Sequence, residues 1–468
     1  MSDIADLDIT AAAAAISSGS LTSLDLTEWT LQRIAMVDTH LKAFIEVLAD
    51  EARTSAEMAD AEIRGGTYRG PLHGIPIAIK ALYDVKGVRT TANSKVRQDY
   101  VPQTDSTVVE KLKDAGAIIL GMLSCHEFAF GFDSAPTRNP WNTGHIPSGS
   151  SGGTGAAIAA GLCFAGTGTD TGGSIRAPSA ANGIAGIKPT YGRVSRAGVA
   201  ALSWSLDHAG PMARSVRDLA ILLGIVAGPD PRDPHAIDIA VPNYTDALNG
   251  DIRGFRLGVP TNYFFDDIQP AVGDAVMGAV RQFENLGAAI VPIAVPFDDR
   301  VIDSWVAIAM SEAATYHQLS LRSKADLYGE DVRLLLEAGE LTLATTYINA
   351  QRARLSWNSS LMSAIRDIDA IVTPTLPNTA MKVGETSIRI GRKEETVFEV
   401  SARLCAPFDM AGLPAASIPC GFAPNGLPIG LQIVGKPFNE ETVLKVCHAF
   451  ESVTEYHLRR PRLPGLQN

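Results

Sequence analysis

Basic charge is scarce in this chain of 468 residues: 40 Lys and Arg stand against 51 Asp and Glu, for a net charge of −11. A partner bound through nucleic-acid phosphates calls for a basic face, so this balance argues against one. Cysteine is sparse as well. Cys125, Cys163, Cys405, Cys420 and Cys447 are odd in number, far apart and never spaced as CxxC. That removes a disulfide framework and a zinc site of ordinary spacing, and leaves small buried hydrophobes in a reducing compartment. His40 and His73 have no second ligand at zinc-like spacing, so no metal is expected. No apolar run approaches the ~18 residues of a membrane span. The opening residues Met1 to Asp6 lack a basic stretch followed by an apolar one. No secretory leader is read there, and the cytoplasm is the expected compartment.

What remains is ordinary globular composition, 46% hydrophobic and 19% charged. Length alone suggests about three units of ~150 residues, although α/β enzymes often exceed that size. Residues 1–65 read as helical. They hold a stretch over 11–16, a helix from Ser23 carrying Leu26, Trp29, Ile34 and Val37, and a third over 49–64 that stops at Gly65-Gly66. Strands are then expected at 75–79, 117–120, 162–166, 255–259, 289–295, 369–372 and 430–434. Helices alternate with them over 106–115, near Glu127, and over 156–161, 216–226, 271–285, 303–322, 341–366 and 442–456. The rhythm predicts an α/β fold, one domain over 66–468 with a mainly parallel or mixed sheet between helical layers and the helices of 1–65 packed on it. Residues 378–396 read as a loop placed to cover a site.

The 42 glycines cluster. The densest stretch is Pro147-Ser-Gly-Ser-Ser-Gly-Gly-Thr-Gly-Ala156, followed by Gly166-Thr-Gly-Thr-Asp-Thr-Gly-Gly-Ser-Ile-Arg176. Three readings compete. A flexible linker fits badly between apolar, buried-looking segments. A phosphate cradle wants GxxxxGK[ST] or GxGxxG in its usual setting, and neither is present. A catalytic wall fits best, because Thr171-Gly-Gly-Ser174 offers consecutive backbone N–H groups with no side chain over Gly172 and Gly173. Such donors, aimed at the oxygen that turns negative when a carbonyl is attacked, are worth ~3 kcal/mol each. Ser174 sets a hydroxyl beside them.

A serine nucleophile needs a base. His126, His145 and His208 are candidates, since triads assemble in space and not in sequence. No GxSxG elbow surrounds any serine, which lowers the usual α/β-hydrolase reading. Lys80 is the other candidate. It ends the apolar strand Ile75-Pro-Ile-Ala-Ile-Lys80, which carries its amine inward. An ion pair with Asp84 is the plain structural reading. Burial can instead bring a lysine from ~10.4 towards neutrality, and serine–lysine catalysis is a known variant.

Taken together these residues resemble the amidase signature family. The resemblance rests on Gly74-Ile-Pro-Ile-Ala-Ile-Lys80, Gly149-Ser-Ser-Gly-Gly153 and Gly168-Thr-Asp-Thr-Gly-Gly-Ser-Ile-Arg176. Leu206-Asp-His-Ala-Gly-Pro-Met212, Gly412-Leu-Pro-Ala-Ala-Ser-Ile-Pro419 and Gly426-Leu-Pro-Ile-Gly-Leu-Gln432 echo it. The family's spacing of 24 residues between two catalytic serines is met by Ser150 and Ser174, and selects Ser150 over Ser151. The resemblance implies a Ser–cisSer–Lys triad: Ser174 as nucleophile, Ser150 as relay after a cis peptide, and Lys80 as base. It further implies oxyanion donors at Thr171, Gly172, Gly173 and Ser174, with Ser151, Asp170 and Arg176 as scaffold. By family position, Ala129, Phe130 and Gly131 should line the substrate pocket. Trp204 and the 303–322 helix, with Trp305, Met310 and Tyr316, are further pocket candidates. The fold implied is an α/β/α layered enzyme with a large mixed central β-sheet, without metal or organic cofactor, and homodimers are common in the family.

The activity implied is hydrolysis of small apolar or aryl amides by a free-standing chain, with esters and carbamates within reach. The alternative is the glutamine-hydrolysing A subunit of a tRNA-dependent amidotransferase. Its site must grip charged α-groups, and no acidic anchor is evident around Ala402, Arg403 and Asp409. A non-catalytic binding protein would have no need to keep Lys80, Ser150 and Ser174 together.

Overall fold

A computed structural model describes residues 4–463. Its N-terminal part comprises α1 (Ile9–Ser17), α2 (Ser23–Leu41), β1 (Phe44–Val47), α3 (Ala49–Arg64), β2 (Pro76–Lys80), α4 (Thr107–Asp114) and β3 (Ile118–Leu123). The middle holds α5 (Gly152–Ala159), β4 (Ala165–Asp170), α6 (Arg176–Asn182), β5 (Ala185–Lys188), β6 (His208–Ala213) and α7 (Val216–Val226). Next come β7 (Arg256–Pro260), α8 (Pro270–Asn285), β8 (Ala289–Ile293), α9 (Arg300–Lys324), α10 (Glu330–Glu340) and α11 (Ala344–Ala364). The last part runs through β9 (Ala370–Pro374), β10 (Ser387–Ile390), β11 (Lys393–Thr396), α12 (Val397–Ala402) and α13 (Ala406–Met410). It ends with β12 (Ala415–Phe422), β13 (Pro428–Val434) and α14 (Glu440–Glu451).

Eleven strands form one mixed sheet in the order β1-β3-β2-β4-β6-β5-β12-β13-β9-β7-β8. The pairs β2–β3, β2–β4, β7–β8 and β7–β9 are parallel, and the centre from β4 through β9 is antiparallel. Side chains alternate across a strand, and this assigns the layers. On β2, Ile77 and Ile79 join the apolar cluster of α1, α4, α7, α8 and α14, whereas Ala78 joins that of α2, α3 and α5. Ile119 and the pair Ile118 and Leu120 divide the same way on β3. A third cluster packs α9, α11 and α13 on Ile371, Ala415 and Val434. The layered mixed sheet agrees with the α/β expectation. No helix among the described residues is long and apolar enough to cross a membrane.

Several local expectations are corrected. Residues 1–65 are not wholly helical, because β1 inserts between α2 and α3 and pairs antiparallel with β3 at the sheet edge. The cap of α2 is Thr22, which forms a reciprocal capping box with Asp25. The hydroxyl of Ser23 instead donates to the Gly74 carbonyl (2.9 Å). Near Glu127 there is only a 3-10 turn (Glu127–Ala129), with Phe128 and Ala129 at φ of +48° and +63°. Residues 378–396 contain the β10–β11 hairpin.

Gly121 shows how tightly the β1 edge is closed. A Cβ there would lie 2.2 Å from the Glu46 carbonyl oxygen, a backbone atom with no freedom to retreat. Gly121→Ala is therefore expected to destabilise the protein by roughly 1–3 kcal/mol. Urea unfolding would show this as a lowered midpoint, and an unchanged midpoint would mean β1 contributes nothing to stability.

Candidate active site

Lys80 closes β2 on the face covered by α5, and its side chain is fully buried. Its Nζ lies 2.8 Å from each of three hydroxyl oxygens, those of Ser150, Ser151 and Thr169. The ion pair with Asp84 does not form, for that carboxylate faces Arg97 (3.4 Å) and the Tyr100 hydroxyl (3.1 Å). Burial without a counter-ion in contact disfavours the ammonium and pushes Lys80 down to about 8. Three hydroxyls suit either protonation state, since each can accept from an ammonium or donate to the lone pair of an amine.

Ser150 follows a cis peptide with Gly149, and Gly149 lies so close to the Phe132 backbone that a Cβ would sit 2.8 Å from it. The Ser150 carbonyl accepts from the His126 N–H and the Ser134 hydroxyl, both at 3.1 Å. Ser151 joins the two glycine-rich segments, because its N–H donates to the Ser174 carbonyl (3.3 Å) while its hydroxyl meets Lys80. No hydrogen bond links the Ser150 and Ser174 hydroxyls directly.

The turn carrying Ser174 is built on a buried ion network. Asp170 ends β4 and accepts the N–H groups of Gly173 (2.6 Å), Ile175 (3.1 Å) and Arg176 (3.3 Å). Arg176 returns to the same carboxylate with Nε and one terminal nitrogen, each at 2.9 Å. The guanidinium also reaches Asp409 (2.5 Å), the Gln432 side chain (2.7 Å) and the Cys405 carbonyl (3.1 Å). Burial alone would raise the Asp170 carboxyl, but Arg176 overrides it and holds the group well below the usual range. Asp409 moves the other way, raised by burial, and its Oδ1 has no hydrogen-bond partner.

This arrangement corrects one predicted donor. The Gly173 N–H is spent on Asp170, while those of Thr171, Gly172 and Ser174 have no acceptor among the described residues. Gly173 sits at φ +128°, open only to glycine, and a Cβ on Gly172 would lie 2.2 Å from the Trp305 ring. The Trp305 indole donates to the Thr171 carbonyl (2.8 Å), and the Thr171 hydroxyl to Asp207 (2.6 Å).

Other sequence candidates separate. Ala129 lines a cleft of about 200 Å³ with Thr169, Trp204 and Asp207, and Trp204 stands half exposed in its wall. Phe130 is buried core, and Gly131 packs on the His126 ring. Phe128 packs on His317 (4.3 Å). Met310 packs against Gly339 through its backbone, and Tyr316 is half exposed. None of the three histidines hydrogen-bonds a serine hydroxyl. His126 faces Asp133 and Asp331, His208 lies against Asp170 and Lys188, and His145 bridges by its backbone to Lys382. Thr169 as a partner of Lys80, and Asp409 and Gln432 as partners of Arg176, are not read in the sequence. Thr169 was legible: Thr167 and Thr169 alternate on β4 towards β2, and the Thr167 hydroxyl accepts the Lys80 N–H (2.9 Å).

A shielded hydroxyl, a buried amine with a weakened hold on its proton and a set of unoccupied amides are the parts of a serine-type hydrolase. The amidase family model matches residues 25–444. The chain is 41% identical to an amidase of Pseudomonas putida, over 99% of this chain and 100% of that protein. It is also 41% identical to the glutamyl-tRNA(Gln) amidotransferase A subunit of Roseiflexus sp. (strain RS-1), over 98% of each. Among solved structures it resembles a chain from an unexpected vestigial protein complex that reveals the evolutionary origins of an s-triazine catabolic enzyme. That match has a TM-score of 0.92 and 33% identity, over 97% of this chain and 100% of the other. The chain belongs to the amidase family, whose members act on C–N amide bonds.

Arg176→Met should leave Asp170 and Asp409 buried without a counter-ion, a loss of about 3–5 kcal/mol. Chemical denaturation measures it directly. A stability within 1 kcal/mol of the parent, roughly the scatter of a surface substitution, would show that the network does not hold the turn.

Proposed function

We propose that the chain is a free-standing amidase that hydrolyses small apolar or aryl amides through an acyl-enzyme on Ser174, with esters and carbamates as further substrates. The observation that carries this reading is the Lys80 amine, buried among hydroxyls and pushed down to about 8. In its neutral form it takes a proton from Ser150, which takes the proton of Ser174. The Ser174 oxygen then attacks the carbonyl carbon, and the N–H groups of Thr171, Gly172 and Ser174 receive the oxyanion. The C–N bond breaks as the relay returns the proton to the departing amine. Water, deprotonated by the same relay, releases the acid and restores the hydroxyl.

Aromatic side chains support the apolar preference. The Trp305 ring touches Gly172, and Phe398 lies between the Trp305 and Phe132 rings at 5.4 and 5.7 Å, while Phe132 meets Gly149 through its backbone. A glutaminase must hold charged α-groups. Asp409 is spent on Arg176, and position 402 is an alanine beside Trp305 in a cavity wall. The Roseiflexus relative keeps the amidotransferase reading as the second one. Hydrolysis of aryl and aliphatic amides alongside glutamine by the purified chain separates the two. Turnover of glutamine alone would overturn the apolar-amide reading, and turnover only with an added partner would overturn the free-standing one.

Ser174→Ala should abolish turnover and labelling by a fluorophosphonate. Lys80→Ala and Ser150→Ala should each cost about 10²–10⁴ in kcat, and the double variant should be no slower than the worse single one. Additive losses would break the relay. The sign of the pH dependence follows from the base: Lys80 works when neutral, about a tenth of it is neutral at pH 7, and the fraction saturates above pH 9. Activity should therefore climb about tenfold from pH 7 to 9 in a stopped assay, and a flat profile would exclude Lys80 as base.

A further inference from the structure

The mechanism leaves two buried titratable side chains without a task, Lys188 at the end of β5 and His208 at the start of β6. The strands are paired, and Lys188 Nζ lies 3.3 Å from His208 Nε2. The other ring nitrogen, Nδ1, lies 3.2 Å from the Asp170 carbonyl oxygen. A carbonyl oxygen only accepts, so Nδ1 carries the proton and Nε2 is left to accept from Lys188. The lysine has an N–H for that bond in either protonation state, beside the one it donates to the Leu413 carbonyl. Burial and the neighbouring Lys188 hold His208 well below the usual imidazole range, which keeps the ring neutral. Asp170, Arg176, Asp409 and Glu440 are the other charged groups around the pair. Tyr191 packs edge-on against the ring, with centroids 5.6 Å apart.

The Asp170 carbonyl shares a peptide unit with the Thr171 N–H, one of the three amides without an acceptor. Asp170 is the last residue of β4 and stands opposite His208 in the ladder, so the ring bond falls where strand gives way to turn. The next unit repeats the arrangement: the Trp305 indole holds the Thr171 carbonyl (2.8 Å), and the Gly172 N–H is open. So does the unit of Ser174, where the Gly173 carbonyl accepts the Ala177 N–H (2.7 Å). The unit between them is the exception. Its Gly173 N–H is spent on Asp170, and its Gly172 carbonyl accepts no hydrogen bond among the described residues.

Carbonyls are therefore held from behind in those units whose N–H groups are free for a reacting oxygen. A bond accepted at the carbonyl fixes the plane of the unit and strengthens its N–H as a donor. We infer that Lys188 and His208 are positioning residues of the hydrolytic reaction: Lys188 fixes the tautomer of His208, and the ring anchors and polarises the unit whose Thr171 N–H receives the oxyanion. Neither side chain touches the substrate, and neither exchanges a proton with it. The inference rests on the amidase reading, and one of its two readouts is independent of turnover.

The first readout is the His208 tautomer, followed by magnetic resonance of isotope-labelled histidine nitrogens in the full chain and assigned by the signal lost in His208→Asn. The proton should stay on Nδ1 from about pH 6 to 9, and a proton on Nε2 or a charged ring overturns the inference. The second is kinetic, on an aryl amide. His208→Leu should lower kcat about tenfold with KM nearly unchanged, and weaken an aryl trifluoromethyl ketone, whose adduct puts an oxyanion in the site, by a similar factor. His208→Asn keeps an N–H near the place of Nδ1 and should recover most of that loss; it also serves where the leucine variant fails to fold. Lys188→Met should cost about threefold in kcat and leave the midpoint of the pH profile in place, unlike a change at Lys80. An undiminished kcat in His208→Leu, or a loss of kcat with ketone affinity intact, overturns the positioning role in an active amidase. A parent that hydrolyses no amide while His208 carries its proton on Nδ1 overturns the amidase reading and leaves the anchored turn standing.

Discussion

The structure is organised around a lysine that has been taken out of water without a carboxylate to meet it. An ammonium in that position costs several kcal/mol unless hydrogen bonds repay it. The protein answers with three hydroxyls drawn from two segments, Ser150 and Ser151 ahead of α5 and Thr169 on β4. Those segments can reach one point only if β2 and β4 are neighbours and α5 lies across them, and the sheet order supplies that neighbourhood. The requirement of a weakly held proton on Lys80 thereby fixes the local architecture, including glycines where the segments crowd. A Cβ on Gly153 would sit 2.3 Å from the Ser124 carbonyl oxygen.

The Lys80 amine and the turn that carries Ser174 are electrostatically linked, since Asp170 and Asp207 favour the Lys80 ammonium against the burial that disfavours it. The charge that holds the turn lies in Asp170, Arg176 and Asp409, and Arg176 also reaches Gln432 and the Cys405 carbonyl. Lys188, a second fully buried lysine also pushed down to about 8 by burial, lies beside His208. Hydroxyls alone are the side-chain groups that hydrogen-bond the Lys80 amine.

Much of this was legible in the residues, for identifiable reasons. Lys80 was found because an apolar strand with one terminal amine is a strong local pattern. The serines stand out because a run of glycines has few structural uses. Thr169 carries the same period-two signal and was passed over, since threonine is common in strands. The short helix α6 was not seen, because Pro178 falls inside it. Proline is tolerated there in the first turn, where its missing N–H has no partner to lose. Strand β6 was hidden by Gly210 and Pro211, and α10 by continuity with the helical pattern that follows it. The partners of Arg176 could not be read at all. Asp409 and Gln432 lie 233 and 256 residues away, and only the folded sheet brings them together.

Those separations carry a kinetic meaning. The turn that carries Ser174 is completed by residues from the last quarter of the chain, so loop-closure entropy spanning more than half the sequence must be met before that turn is fixed. Topologies dominated by such distant pairings fold slowly. During synthesis the segments bearing Lys80, Ser150 and Ser174 leave the ribosome long before β13 does. A truncated product would hold all three side chains with Arg176 lacking the partners that its final strands bring.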